Sequence, residues 1–191
     1  ALFNKEISFM NLNLLIIDEE HKFGVRQKEQ IRSLKSGINV ISLSATPIPR
    51  TLNLSLSKVR DISLITTPPT GRKSVKTIVS RYSKSLVFEA IQREFYRDGQ
   101  VFYLLNNVSM LEEKKKEISD RFPEKKVAFA HGQLRPKELS KVMESFIRKE
   151  IDLLVCTTII ESGIDIENAN TLIVEESENY GLSILHQIRG R

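Results

Sequence analysis

Residues 12–21 read Leu-Asn-Leu-Leu-Ile-Ile-Asp-Glu-Glu-His. Leu12 to Ile17 is an apolar run of strand length, the pattern of a strand covered on both faces. It stops at Asp18 and Glu19. Such strands belong to parallel α/β folds, in which ligands bind beyond the carboxyl ends of the strands. An acidic pair there suits phosphate chemistry. The Asp can hold a magnesium ion that bridges nucleotide phosphates, and the adjacent Glu can polarise an attacking water. A plain acidic loop would look the same, so this stretch alone does not separate the two.

Outward from it, strands and helices alternate. Val25 to Lys35 reads as a surface helix, with Ile31 and Leu34 as its apolar residues. Asn39 to Leu43 reads as a strand, Pro49 to Ser57 as a short helix and Asp61 to Ile65 as a strand. Residues 66–74, TTPPTGRKS, then combine two prolines, a glycine and two basic residues, the composition of a linker. The alternation restarts with strands at Val75–Tyr82, Val101–Leu105, Lys126–Ala130, Leu153–Cys156 and Thr171–Val174. Helices are expected at Ser83–Arg97 (Leu86, Ile91 and Phe95 inward), Ser109–Arg121, Pro136–Arg148 and from Gly181 onward. The division is therefore residues 1–67, a linker at 68–74, and residues 75–191.

Composition narrows the classes. The chain has 191 residues, 40% apolar and 28% charged, enough to build a core. No apolar run approaches the ~20 residues that cross a bilayer. The opening, ALFNKEISFM, places Lys5 and Glu6 where a secretory leader would be apolar. A single cysteine, Cys156, rules out an internal disulfide scaffold, and a cytoplasmic setting is the expectation. The net charge of +5 permits nucleic-acid binding without demanding it. The run Lys114-Lys115-Lys116 reads as a solvated helix face, and Cys156 as core packing.

The unusual residues gather after strands. Asp18-Glu19-Glu20-His21 and Ser44-Ala45-Thr46-Pro47 do so in the first region. His131-Gly132-Gln133 and Thr157-Thr158 with Glu161-Ser162-Gly163 do so in the second. Ser44 and Thr46 could hydrogen-bond the acidic pair, although a helix-capping turn would use the same residues. The final stretch, HQIRGR, sets Gln187, Arg189 and Arg191 on a short helix. An arginine there could meet a γ-phosphate or simply complement a helix terminus. His186 reads as a packing or hydrogen-bonding residue.

The order DEEH, SATPIPRT, TTIIESGIDIENANTLI, HQIRGR resembles motifs II, III, V and VI of superfamily 2 helicases and translocases, across essentially the whole chain. Within that superfamily, DEEHKFGVRQKE, HGQLRPKELSKVM and LSLSKVRDISLITTPP resemble the translocase module of the bacterial transcription-repair coupling factors. RecG-type fork-remodelling helicases share the FGV loop and ATPIPRT but typically have Asp-Glu-Gln-His at residues 18–21.

The resemblance implies two RecA-like parallel-sheet lobes, the first incomplete and the second nearly complete. It implies an ATP-driven motor on double-stranded DNA that pushes stalled RNA polymerase off lesions and recruits excision-repair proteins. Carried over by position, Asp18 would hold Mg2+ through the nucleotide and Glu19 would activate water. Ser44 and Thr46 would couple nucleotide state to DNA grip. Gly163 and Asp165 would lie at the nucleotide cleft. Thr157 and Thr158 would touch a DNA phosphate, with His131 and Gly132 beside them on the DNA side. Gln187 and Arg191 would belong to motif VI, Arg191 facing the γ-phosphate.

Two departures stand beside the matches. No G-x-x-x-x-G-K-[ST] phosphate loop is present, and Gly71-Arg72-Lys73-Ser74 mimics only its tail, within the linker. The second motif VI arginine of the family is not in the sequence either. The expectation is an internal piece of a motor that does not hydrolyse ATP alone. Its first region is expected to be the less stable one and prone to pair through an apolar strand edge. A DNA- or protein-binding module without turnover is the competing reading.

Overall fold

The computed structural model describes residues 11–19, 23–34, 37–44, 61, 63–67, 75–157, 166 and 168–189. The chain forms two compact units, Ala1–Pro68 and Pro69–Arg191.

In the first unit, strands β1 (Leu14–Asp18) and β2 (Asn39–Leu43) pair in parallel around helix α1 (Val25–Leu34). Ile17 and Ile31 are buried. Leu14, Ile16, Ile41 and Leu43 are exposed, although the Leu12–Ile17 run reads as covered on both faces. The expected helix at Pro49–Ser57 lies outside the described residues.

In the second unit, four parallel strands lie in the order β4-β5-β3-β6. They are β3 (Val101–Leu104), β4 (Val127–Ala130), β5 (Leu153–Cys156) and β6 (Thr171–Val174). The helices are α2 (Lys84–Tyr96), α3 (Leu111–Arg121), α4 (Pro136–Ile147) and α5 (Leu182–Arg189). A 3-10 turn at Val108–Met110 leads into α3, with the Asn107 side chain accepting from the Ser109 amide at 3.1 Å.

Because side chains alternate along a strand, each face of this sheet has its own core. Val101, Tyr103, Leu153 and Val155 pack with Ile91 and Phe95 of α2 and Leu111 and Ile118 of α3. Phe102, Leu104, Leu154 and Cys156 pack with Met143 and Phe146 of α4 and Ile188 of α5. Two helix layers thus sandwich one parallel sheet, and both faces of its central strands are buried. Burial pushes the Cys156 thiol well above its ordinary value, as a packing role requires.

Three expectations need correction. Described residues of Asp61–Ile65 and Val75–Tyr82 are not strands. An apolar alternation becomes a strand only with a ladder partner, and among the described residues neither segment has one. Leu86 is exposed. The buried stripe of α2 runs through Ile91 and Phe95, four residues apart, with Val87 packed against it. Leu86 lies five residues before Ile91 and so points away from that stripe. Lys114 is buried at 8% exposure, not part of a solvated face.

The amino edge of the sheet is structural. Glu94 is buried, bonds the Thr171 hydroxyl and pairs with Arg97. Gly99 has no room for a side chain: a Cβ there would meet Glu94 Oε1 at 1.7 Å.

Candidate nucleotide and nucleic-acid site

The parallel register of the first unit sets Asp18 opposite Leu43. The residues leaving the two strands, Glu19 and Ser44, are therefore neighbours. The Glu19 amide donates to the Leu43 carbonyl at 2.9 Å, and the Ser44 hydroxyl donates to Glu19 Oε2 at 3.0 Å. Glu19 is in the left-handed region at φ 49°. That conformation costs a non-glycine residue about 1 kcal/mol. It turns the backbone out of the pleat immediately after Asp18.

Asp18 is exposed and Glu19 half-buried. An open carboxylate beside a hydroxyl-anchored one suits a hard divalent cation that keeps its waters and takes one or two carboxylates plus phosphate oxygens. These residues fit Mg2+–nucleotide in their donor chemistry. The backbone cradle for the phosphates is not in this sequence.

In the second unit, β4 and β5 end side by side. The Thr157 amide donates to the Ala130 carbonyl at 3.3 Å, so Thr157 stands next to His131 and Gly132. The His131 ring stacks with Phe129 at 6.2 Å between centroids, and its Nδ1 is buried without a partner. Gly132 is exposed in the turn that follows. Gln187 sits half-buried on α5, with Arg189 exposed nearby. Thr46, Thr158, Gly163, Asp165 and Arg191 lie outside the described residues.

Residues 84–191 match the model of the helicase conserved C-terminal domain. The chain belongs to that helicase family. Over 190 residues it is 48% identical to the transcription-repair-coupling factor of Escherichia coli (strain K12) and 50% identical to that of Staphylococcus aureus (strain USA300). These alignments cover 100% of this chain but 17% and 16% of the relatives. A solved structure of RecG bound to a three-way DNA junction superposes with a TM-score of 0.72 at 35% identity. It covers 97% of this chain and 25% of that one. The parallel α/β architecture expected from the sequence is thus that of helicase lobes.

Within the helicase domain, sequence reasoning missed one cluster. Lys114 of α3 donates to the Tyr82 hydroxyl at 3.2 Å and pairs with Glu117 at 3.1 Å and Glu175 at 3.2 Å. The Tyr103 hydroxyl also donates to Glu175, and Lys84 pairs with Glu117 at 2.7 Å. The Lys114 ammonium lies over the rings of Tyr82 (5.2 Å) and Tyr103 (5.5 Å). Burial alone would lower the Lys114 pKa, but Tyr82, Glu117 and Glu175 outweigh it and raise the value. Burial and the Glu175 carboxylate both push the Tyr103 phenol up. The spacing Leu111, Lys114, Ile118 was the available signal, because it places Lys114 on the apolar stripe of the helix.

Proposed function

We propose that this chain is the central part of an ATP-dependent double-stranded DNA translocase of the transcription-repair coupling type. Its whole protein would displace stalled RNA polymerase and recruit excision-repair proteins, in the cytoplasm. The observation that carries the reading is the Ser44–Glu19 bond at the end of β1, which ties a motif III hydroxyl to the motif II carboxylate. The 48–50% identity to coupling factors, against 35% to RecG, favours that type over a fork-remodelling helicase.

In this reading, Mg2+–ATP supplies the phosphoanhydride whose cleavage drives movement. Asp18 holds the metal, and Glu19 takes the proton of the attacking water. Ser44 orients Glu19 and, with Thr46, reports the nucleotide state to the DNA grip. By the family resemblance, Gly163, Asp165 and Gln187 would serve nucleotide binding, and Arg191 would face the γ-phosphate. Thr157, Thr158, His131 and Gly132 hold the DNA backbone, whose contacts carry affinity rather than sequence. Without a phosphate cradle, this stretch alone binds without turnover.

Steady-state ATP hydrolysis with and without duplex DNA tests this. The chain is compared with a form extended at both ends to the length of its relatives. Expected are an inert chain, a DNA-stimulated extended form, and loss of that activity in Glu19→Gln. Hydrolysis by the chain itself would overturn the division of labour and point to Lys73. An extended form that regresses forks but leaves stalled polymerase in place would favour the RecG-type reading.

A further inference from the structure

We propose that Lys114 is a positioning residue that fastens the segment entering the second unit to the end of β6. Residues 75–81 form no strand or helix and are exposed. The segment ends at Tyr82, whose hydroxyl accepts from the Lys114 ammonium of the body of the unit. Tyr82 is itself 53% exposed, so apolar burial does little to hold it. The Lys114 ammonium lies 3.2 Å from its hydroxyl and over its ring, and Tyr103 hydrogen-bonds the same side chain.

The same ammonium meets Glu175, the first residue after β6, whose amide donates to the Leu104 carbonyl at 3.0 Å. Glu175 is fixed a second time by Tyr103, in the middle of the core. Lys114 is therefore one donor shared by an entering segment and a strand end that are far apart in sequence. Glu176, the next residue, turns left-handed at φ 51° and starts the turn leading to α5, which carries Gln187. A displacement of the entering segment is passed through Tyr82 and Lys114 to the base of that turn. The mechanical use of this path rests on the translocase reading; the fastening itself does not.

A buried lysine is a costly way to stabilise a core, and an apolar residue of similar length often serves as well. Its use here is to fix which segments meet. The test is trypsin cleavage after Arg81, directly beside Tyr82, timed against cleavage after the exposed Arg148 at the end of α4. Lys114→Met is expected to speed cleavage at Arg81 about tenfold relative to Arg148, because local opening exposes the bond without global unfolding. Tyr82→Phe keeps the ring but loses the hydroxyl bond, and is expected to speed it about threefold. The double variant should be no faster than Lys114→Met alone.

Equal acceleration at both sites would show Lys114 to be a core stabiliser only and overturn the proposal. So would an unchanged rate at Arg81, or additive effects in the double variant. If Lys114→Met does not fold, Tyr82→Phe, at a half-exposed residue, decides between the same outcomes. None of these readouts involves ATP or DNA, so failure here is distinct from failure of the translocase reading.

Discussion

Two strands in this molecule end alike and are used differently. β1 ends at Asp18, followed by Glu19 in the left-handed region; β6 is followed by Glu175, then Glu176 in the left-handed region. In the first unit Asp18 stays exposed and Glu19 meets the hydroxyl of Ser44, the residue after β2. In the second, Glu175 is paired with Lys114 and accepts a hydrogen bond from Tyr103. The same backbone turn thus presents one acid to solvent and ties another into the core. What differs is the exposure of the acid that precedes the left-handed residue: Asp18 is open to solvent, whereas Glu175 is held by a lysine and a phenol and has little left to offer a metal.

This contrast can be broken most decisively by activity. Glu19→Gln in the extended form is expected to lower DNA-stimulated ATP hydrolysis by about 10²–10⁴, the range for a lost general base. Glu175→Gln should leave the chemical step nearly intact. Equal losses would erase the distinction between the two strand ends.

Hydrogen exchange sharpens it at the level of the units. The first unit leaves Leu14, Ile16, Ile41 and Leu43 exposed, whereas Val101, Leu104, Leu153 and Val155 are fully buried. Amides of β1 and β2 are expected to exchange on the order of 100-fold faster than those of β3 and β5. Equal protection in a monomer would show that the first unit is not the weaker one.

Stability separates the two acids next. Glu175→Gln leaves a buried ammonium short of a partner and is expected to cost about 2–3 kcal/mol in urea unfolding. Asp18→Asn, at an exposed position, should fall within about 0.5 kcal/mol. The reverse order would mean that Asp18 is structural.

The smallest effect is in pH. Burial alone would raise the Glu117 pKa, but Lys84 and Lys114 outweigh it and hold the value below its ordinary 4.5. The Glu117 contribution is full above 4.5 and is lost as pH falls through the lower folded value. The Lys114 value is raised above 10.5, so its contribution is full below 10.5 and is lost as pH climbs through the folded value. The urea midpoint should decline at both extremes, and Lys114→Met should flatten the alkaline side. An alkaline decline unchanged in that variant would separate Lys114 from the network.

Much of the fold is legible in the sequence because it rests on local pattern. β2, β5 and β6 have the ends that their apolar runs indicate, and Pro136 opens α4 as its missing N–H permits. What is not legible depends on partners distant in sequence. Val75–Tyr82 has the composition of a strand but no ladder. Three adjacent lysines suggest solvent, whereas the helical period buries only the first of them, Lys114.

The sequence by itself determined the alternation of strands and helices, the family, and the acidic and hydroxyl residues at the strand ends. These follow from hydrophobic periodicity and motif order, which are written locally along the chain. Only the tertiary structure decided that Ser44 reaches Glu19 and that Glu175 belongs to Lys114. Both depend on which strands lie side by side and which helix covers them. Residues 25 and 61 positions apart become neighbours only when parallel pairing and close packing bring their strand ends and helix faces together.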